Sequence, residues 1–259
     1  MVEAPTQPNA EPALRLRGVG RRFGGIQAVR NVDLDVARGE RRAILGPNGA
    51  GKTTLFNLVA GDFPVSVGTV EVFGQDVTHL PARARPALGL ARSYQKSRLF
   101  LGLSVLDNLY LALIGCEGGR LRMHPNPRDR EFRERARVAA DRIALGEKVD
   151  TLVGSLSHGE QRQLEVGMAS VTEPRIILLD EPASGLSRGE RERLTELLIA
   201  LPAEVTLILI EHDMDVALGV AHYVTMMHDG RKIVEGTPNE IRGNQLVHDL
   251  YLGRAHTND

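Results

Sequence analysis

The run Gly46-Pro47-Asn48-Gly49-Ala50-Gly51-Lys52-Thr53-Thr54 sets glycines, a lysine and two hydroxyls at the spacing G-x-x-x-x-G-K-[ST]. Glycines let a backbone curl inward so that several N–H groups, here those from Asn48 to Thr54, converge on one anion. The positive end of a following helix then lies behind them. Lys52 adds a mobile cation for β- and γ-phosphates, and Thr53 offers a hydroxyl to Mg²⁺. A second acidic half lies far downstream. The apolar run Ile176-Ile177-Leu178-Leu179 ends in Asp180-Glu181-Pro182. After a phosphate loop, Asp180 is placed to hold Mg²⁺ and Glu181 to orient or deprotonate an attacking water.

These groups need strands that end at one edge. Arg41-Arg42-Ala43-Ile44-Leu45 reads as a buried strand entering the loop, and Thr54–Ala60 has apolar residues at helical spacing. Arg175–Asp180 and Val205–Ile210 read as buried strands of a parallel sheet, the second ending in Glu211-His212-Asp213. Upstream, Leu14–Arg17 and Val32–Val36 alternate apolar and polar residues, and Gly68–Phe73 suits a further strand before a turn at Gly74-Gln75-Asp76. These early strands predict an antiparallel sheet beside the nucleotide site. From about Pro81 the pattern becomes helix and loop. Leu90–Gln95 reads as a strand-like run, Ser104 and Ser157 cap helices, and Arg130–Leu145 is a charged helix. Downstream, Arg188–Leu201 is an amphipathic helix. Tyr223–Met227 and Lys232–Glu235 form a hairpin turning at Asp229-Gly230, and Pro238–Leu252 is a terminal helix.

The 259 residues suffice for a large core. Charge is balanced, with 32 Lys+Arg against 33 Asp+Glu, so no global basic field invites nucleic acid. One cysteine, Cys116, cannot form an internal disulfide, which fits a reduced compartment. No signal peptide and no membrane-length apolar run is found in the sequence.

The phosphate loop, Gln95, Leu156-Ser157-His158-Gly159-Glu160, Leu178-Leu179-Asp180-Glu181-Pro182 and His212 occur in this order. The set resembles the nucleotide-binding subunit of ATP-binding cassette (ABC) transporters over residues 13–253. The resemblance implies an α/β P-loop NTPase fold with a RecA-like parallel-sheet core, an antiparallel β subdomain and an inserted helical signature subdomain at about 96–170. A disordered leader at 1–12 and a tail at 254–259 flank it. It further implies that Phe23 stacks on adenine, that Gln95 touches Mg²⁺ or the lytic water, and that His212 contacts the γ-phosphate. Ser157 and Gly159 would cap the γ-phosphate bound by the opposite subunit. The site is then complete only in a head-to-tail dimer holding two ATP.

Three departures from the commonest family pattern stand out. His158 and Glu160 occupy signature positions usually held by Gly and Gln, Ser187 replaces an aspartate, and Phe23 replaces a tyrosine. Phe23-Gly24-Gly25, Glu211–Met214, Glu235–Pro238 and Tyr251-Leu252-Gly253 are similar to the branched-chain amino-acid importer branch. Parts of the signature region also look like urea and short-amide importers, and lipopolysaccharide-export ATPases share much of the pattern. The expected activity is therefore Mg-dependent ATP hydrolysis that powers uptake of branched-chain or other hydrophobic amino acids. Expected partners are transmembrane permease subunits, a second ATPase subunit (identical or paralogous) and, indirectly, a solute-binding protein. The expected seat is peripheral, at the cytoplasmic face of the inner membrane. A nucleic-acid or ribosome-associated cassette is disfavoured by a single cassette, a single cysteine and no long heptad run.

Overall fold

Period-two alternation produces the first sheet. In the computed structural model, which describes residues 11–93, 99–116 and 128–252, β1 (Leu14–Phe23) and β2 (Ile26–Val36) pair antiparallel through the Gly24-Gly25 turn. Both strands run longer than the alternation predicts. Irregular register after Leu16, with Gly18 and Asn31 at positive φ, breaks the inside–outside pattern that made their ends legible. After β3 (Arg41–Leu45) and α1 (Lys52–Ala60), β4 (Val67–Val72) and β5 (Gln75–Asp76) complete a four-stranded sheet in the order β2-β1-β4-β5.

The second sheet carries the chemistry. A 3-10 turn at Ala82–Leu88 leads to β6 (Leu90–Arg92), which ends before Gln95; Gln95 lies outside the described residues. Then come α2 (Val105–Cys116), α3 (Asp129–Arg142), α4 (His158–Ser170) and β7 (Ile176–Asp180). The chain continues through α5 (Arg188–Ile199), β8 (Thr206–Ile210), α6 (Met214–Val220), β9 (Tyr223–His228) and β10 (Arg231–Gly236). It closes with α7 (Pro238–Arg242) and α8 (Gln245–Leu252), so the single terminal helix expected from Pro238 to Leu252 is two helices, broken at Gly243 and Asn244. Strand order is β10-β9-β3-β8-β7-β6, with β9, β3, β8, β7 and β6 parallel and β10 antiparallel to β9. The terminal hairpin is thus not an appendage: β9 pairs with the strand that enters the phosphate loop.

Parallel strands buried on both faces are largely apolar, and β7 up to Asp180 and β8 after Thr206 are apolar without a break. Ile176, Leu178, Ile208 and Ile210 share one core with α1 and the antiparallel sheet. Ile177, Leu179, Leu207 and Leu209 point the other way, toward Leu194 and Leu198 of α5 and Val216 and Val220 of α6. Each such side chain contributes ~1.5–3 kcal/mol on burial. A third core joins α2, α3 and α4 through Leu109, Leu113, Phe132, Ala136 and Leu164. The expected leader and tail fall largely among the residues not described.

Candidate active site

The phosphate loop is shaped by glycines that no other residue could replace. Gly46 has φ 148°, and a Cβ there would lie 2.2 Å from the Met227 carbonyl oxygen of β9. Gly51 has φ 93°, and its Cβ would lie 2.4 Å from the Ala28 carbonyl oxygen of β2. The hairpin tip closes the third side: the Gly230 N–H donates to the Ala50 carbonyl at 3.0 Å, and the Arg30 N–H donates to the Gly230 carbonyl at 2.7 Å. Asn48 and Gly49 remain exposed, while Ala50 is buried.

Lys52 opens α1 and folds back, its Nζ donating to the carbonyls of Gly46 at 2.6 Å and Pro47 at 3.1 Å. Burial pushes its ammonium below the ordinary lysine value, while the charges of Glu181 and Asp180 pull it back up. Thr53 and Thr54 follow in the first turn, half-buried. The loop N–H groups and Lys52 make a cradle for phosphate oxygens.

Asp180 ends β7 with its side chain fully covered, and neither carboxylate oxygen has a hydrogen-bond partner. Burial raises its carboxyl above the usual range; the Arg92 guanidinium, 3.7 Å away, opposes the rise. An anion buried without donors fits a site completed by a cation. Glu181 follows at φ 50°, its N–H bonded to the Ile210 carbonyl at 2.9 Å, and its Oε2 lies 3.8 Å from Nδ1 of His212. The parallel register Asp180↔Ile210 sets both carboxylates beside the tip of β8. Lys52, Asp180, Glu181 and His212 are therefore gathered at one edge.

Ser157 and Gly159 stand at the start of α4 and are held by carboxylates. Ser157 N–H donates to Glu160 at 2.9 Å in a capping box, and Gly159 N–H donates to Glu190 of α5 at 3.1 Å. Phe23 ends β1, 39% exposed, with Phe63 edge-on at 5.5 Å and the Arg21 guanidinium 4.6 Å over its ring.

Several contributors escaped the sequence reading. Arg92 reaches Asp180 and also pairs with Asp62, because the register Arg92↔Leu178 sets it alongside β7. Glu211 is fully buried, accepting the Ala183 N–H at 2.8 Å and the His212 N–H at 3.2 Å. Burial raises its carboxyl, and those N–H groups oppose the rise. A charged residue directly after an apolar run was the available signal for Glu211; Arg92 had none.

Comparison with known proteins identifies the family. The family model described as ABC transporter matches residues 29–184. The high-affinity branched-chain amino acid transport ATP-binding protein LivG of Salmonella typhimurium is 37% identical over 254 residues, spanning 95% of this chain and 100% of that protein. BraF of Pseudomonas aeruginosa, which carries the same description, is 35% identical over the same shares. Among solved structures, an ATP-binding cassette of an ABC transporter in its ADP conformation superposes with a TM-score of 0.84 at 26% identity, covering 93% of this chain and 99% of that one. A dimeric post-hydrolysis cassette bound to ADP and Pi gives 0.74 at 25% identity, covering 87% and 98%. The α/β P-loop fold and the sequence agree, and the chain belongs to the ABC transporter family as an ATP-binding cassette.

Proposed function

We propose that this chain is the ATP-hydrolysing subunit of a membrane importer for branched-chain or other hydrophobic amino acids. The observation that carries the ATPase reading is Asp180, buried with neither oxygen hydrogen-bonded, beside Lys52 and Glu181. The solute class rests on the full-length likeness to LivG and BraF.

In this reading the N–H groups of Asn48, Gly49, Ala50, Gly51, Lys52, Thr53 and Thr54 bind the triphosphate, and Phe23 stacks on the adenine. Lys52 leaves the carbonyls of Gly46 and Pro47 for the β- and γ-phosphates. Thr53, Asp180 and Gln95 would hold Mg²⁺, which would supply neutralising positive charge to the triphosphate. Glu181 takes the proton of the attacking water, and His212 orients the γ-phosphate. Ser157 and Gly159 of a second cassette supply donors to the far side of the γ-phosphate, where charge develops.

We assign α2 to α4 to a helical subdomain at about 96–170. No helix among the described residues is long and apolar enough to cross a membrane; in this reading separate permease subunits carry the solute. A cavity of about 470 Å³ opens between β6 and α4, lined by Ala91, Arg92, Ser93, Glu165 and Met168. It adjoins the segment that leads to Gln95, which suits a permease contact at the cytoplasmic face of the inner membrane.

The test is uptake of labelled leucine by cells that lack the gene and are complemented with wild type or Glu181→Gln. Uptake restored by wild type alone is expected. Equal uptake in the uncomplemented strain would remove the amino-acid reading. Recovery of polytopic membrane proteins in a mild-detergent pull-down separates the transporter reading from its solute.

A further inference from the structure

The signature donor is already occupied in this chain. Gly159 is the second residue of α4, where a backbone N–H has no partner within the helix and lies in the positive end of the helix dipole. Glu190, on the first turn of α5, fills that position with Oε1 at 3.1 Å from the Gly159 nitrogen. The approach is close enough that a Cβ at position 159 would lie 2.7 Å from Oε1 and 2.8 Å from Cγ of Glu190. With no side chain at position 159, the Glu190 carboxylate can lie directly against the helix start.

The other oxygen of Glu190 faces the opposite way. Its Oε2 accepts the Ser187 N–H at 2.9 Å and the Ser187 hydroxyl at 2.7 Å. The serine hydroxyl donates here; an aspartate in its place would bring a second negative charge instead. The carboxyl of Glu190 lies below its ordinary range, chiefly through the Ser187 hydroxyl, so the group is an anion at neutral pH. Close by, the His158 ring covers Gly185, where a Cβ would come within 2.9 Å of Cε1. One carboxylate therefore joins the start of the signature helix to the loop that runs from Glu181 to Ser187.

We propose that Glu190 is a resident anion on the signature donor, which the γ-phosphate of an ATP-loaded second cassette must displace for the dimer to close. The proposal rests on the two-ATP sandwich reading above. Two anions facing one N–H repel, so phosphate and Glu190 exchange rather than share. When Glu190 swings away it also leaves Ser187, and the loop behind Glu181 is released as the partner's nucleotide arrives. The departures at His158 and Ser187 lie on either side of this link.

The experiment measures ATP-dependent association of the full chain with the cassette it copurifies with, in the Glu181→Gln background, by analytical ultracentrifugation across ATP concentration. Glu190→Gln removes the charge, and Glu190→Asp keeps it but withdraws it by one methylene from Gly159. Both are expected to lower the ATP concentration for half-maximal association, by roughly threefold. Protection of the Gly159 amide from hydrogen exchange in the nucleotide-free chain should fall in both. An unchanged or raised ATP requirement in both variants overturns the proposal and leaves the sandwich reading intact. Absence of any ATP-dependent association in the Glu181→Gln parent overturns the sandwich reading itself, and the proposal with it.

Discussion

Nδ1 of His212 stands 3.8 Å from Oε2 of Glu181, and the buried carboxylate of Glu211 fixes that relation from behind. One Glu211 oxygen anchors the loop after Glu181 through Ala183, and the other anchors the backbone of His212. Spacing between the proposed base and the proposed γ-phosphate contact is therefore set by a buried group behind both.

Glu211→Gln tests this with almost no change in shape. An amide offers one oxygen and a donating NH₂, so one of the two backbone N–H groups would face another donor. A fall of about tenfold in kcat for ATP hydrolysis is expected, with the ATP affinity of the isolated chain preserved. Loss of affinity in step with kcat would show that the residue supports the fold as a whole.

Replacing Glu181 by glutamine removes the proton acceptor and keeps the hydrogen-bonding outline. ATP should still bind, while steady-state phosphate release drops by at least ~100-fold. Turnover equal to wild type would remove Glu181 from its assigned role.

Lys52→Ala takes away the cation that now rests on the Gly46 and Pro47 carbonyls. Equilibrium binding of a fluorescent ATP analogue should weaken by about 100-fold, equivalent to ~3 kcal/mol for charge-assisted contacts to phosphate. Unchanged affinity would contradict the phosphate-loop assignment.

Asp180 makes a prediction about pH. Its carboxyl is raised by burial, so the folded chain binds that proton more tightly than the unfolded chain does. Stability from this group is present at low pH and is lost as pH rises from the ordinary carboxylate range through the raised value. Asp180→Asn should therefore stabilise the nucleotide-free chain at pH 7 by about 1 kcal/mol while ending hydrolysis. Thermal unfolding at pH 7 and near pH 4 measures it: the mutant's advantage should shrink at the lower pH, and a constant advantage would refute the linkage.

Arg85 is buried and donates to the carbonyls of Leu58, Val59, Val77 and Leu80, tying the C-terminal end of α1 to the segment before β6. Burial lowers its guanidinium to about 10. Arg85→Met keeps the volume but leaves those carbonyls unpaired, and should cost about 3 kcal/mol in urea unfolding. A loss under ~0.5 kcal/mol, the range of ordinary surface changes, would show that water replaces the donors.

The phosphate loop, the acidic strand tip and the histidine beyond β8 were legible because their chemistry is bound to short, contiguous patterns. The apolar runs of β7 and β8 reported burial on both faces for the same reason. What stayed hidden depended on register. Arg92 reaches Asp180 only because β6 lies beside β7 with Arg92 opposite Leu178, and nothing local encodes that pairing. Glu190 likewise looks like a capping residue of its own helix, since its second contact comes from a residue 31 positions away. Phe63 was unreadable as the ring packed on Phe23 because the two meet only after β1 and β4 pair. The ends of β1 and β2 were missed where irregular register interrupts the alternation.

The contacts of Ala28 and Met227 with Gly51 and Gly46 have a kinetic corollary. A phosphate loop pressed by backbone from two neighbouring strands, and pinned at Ala50 by the hairpin tip, has its shape set by the scaffold around it. Little conformational entropy remains to be lost on capture, so the loop should meet ATP and ADP as a rigid body. Discrimination between the two nucleotides then falls to the groups that meet the last phosphate, and the rate of ADP departure becomes a property of the scaffold behind the loop.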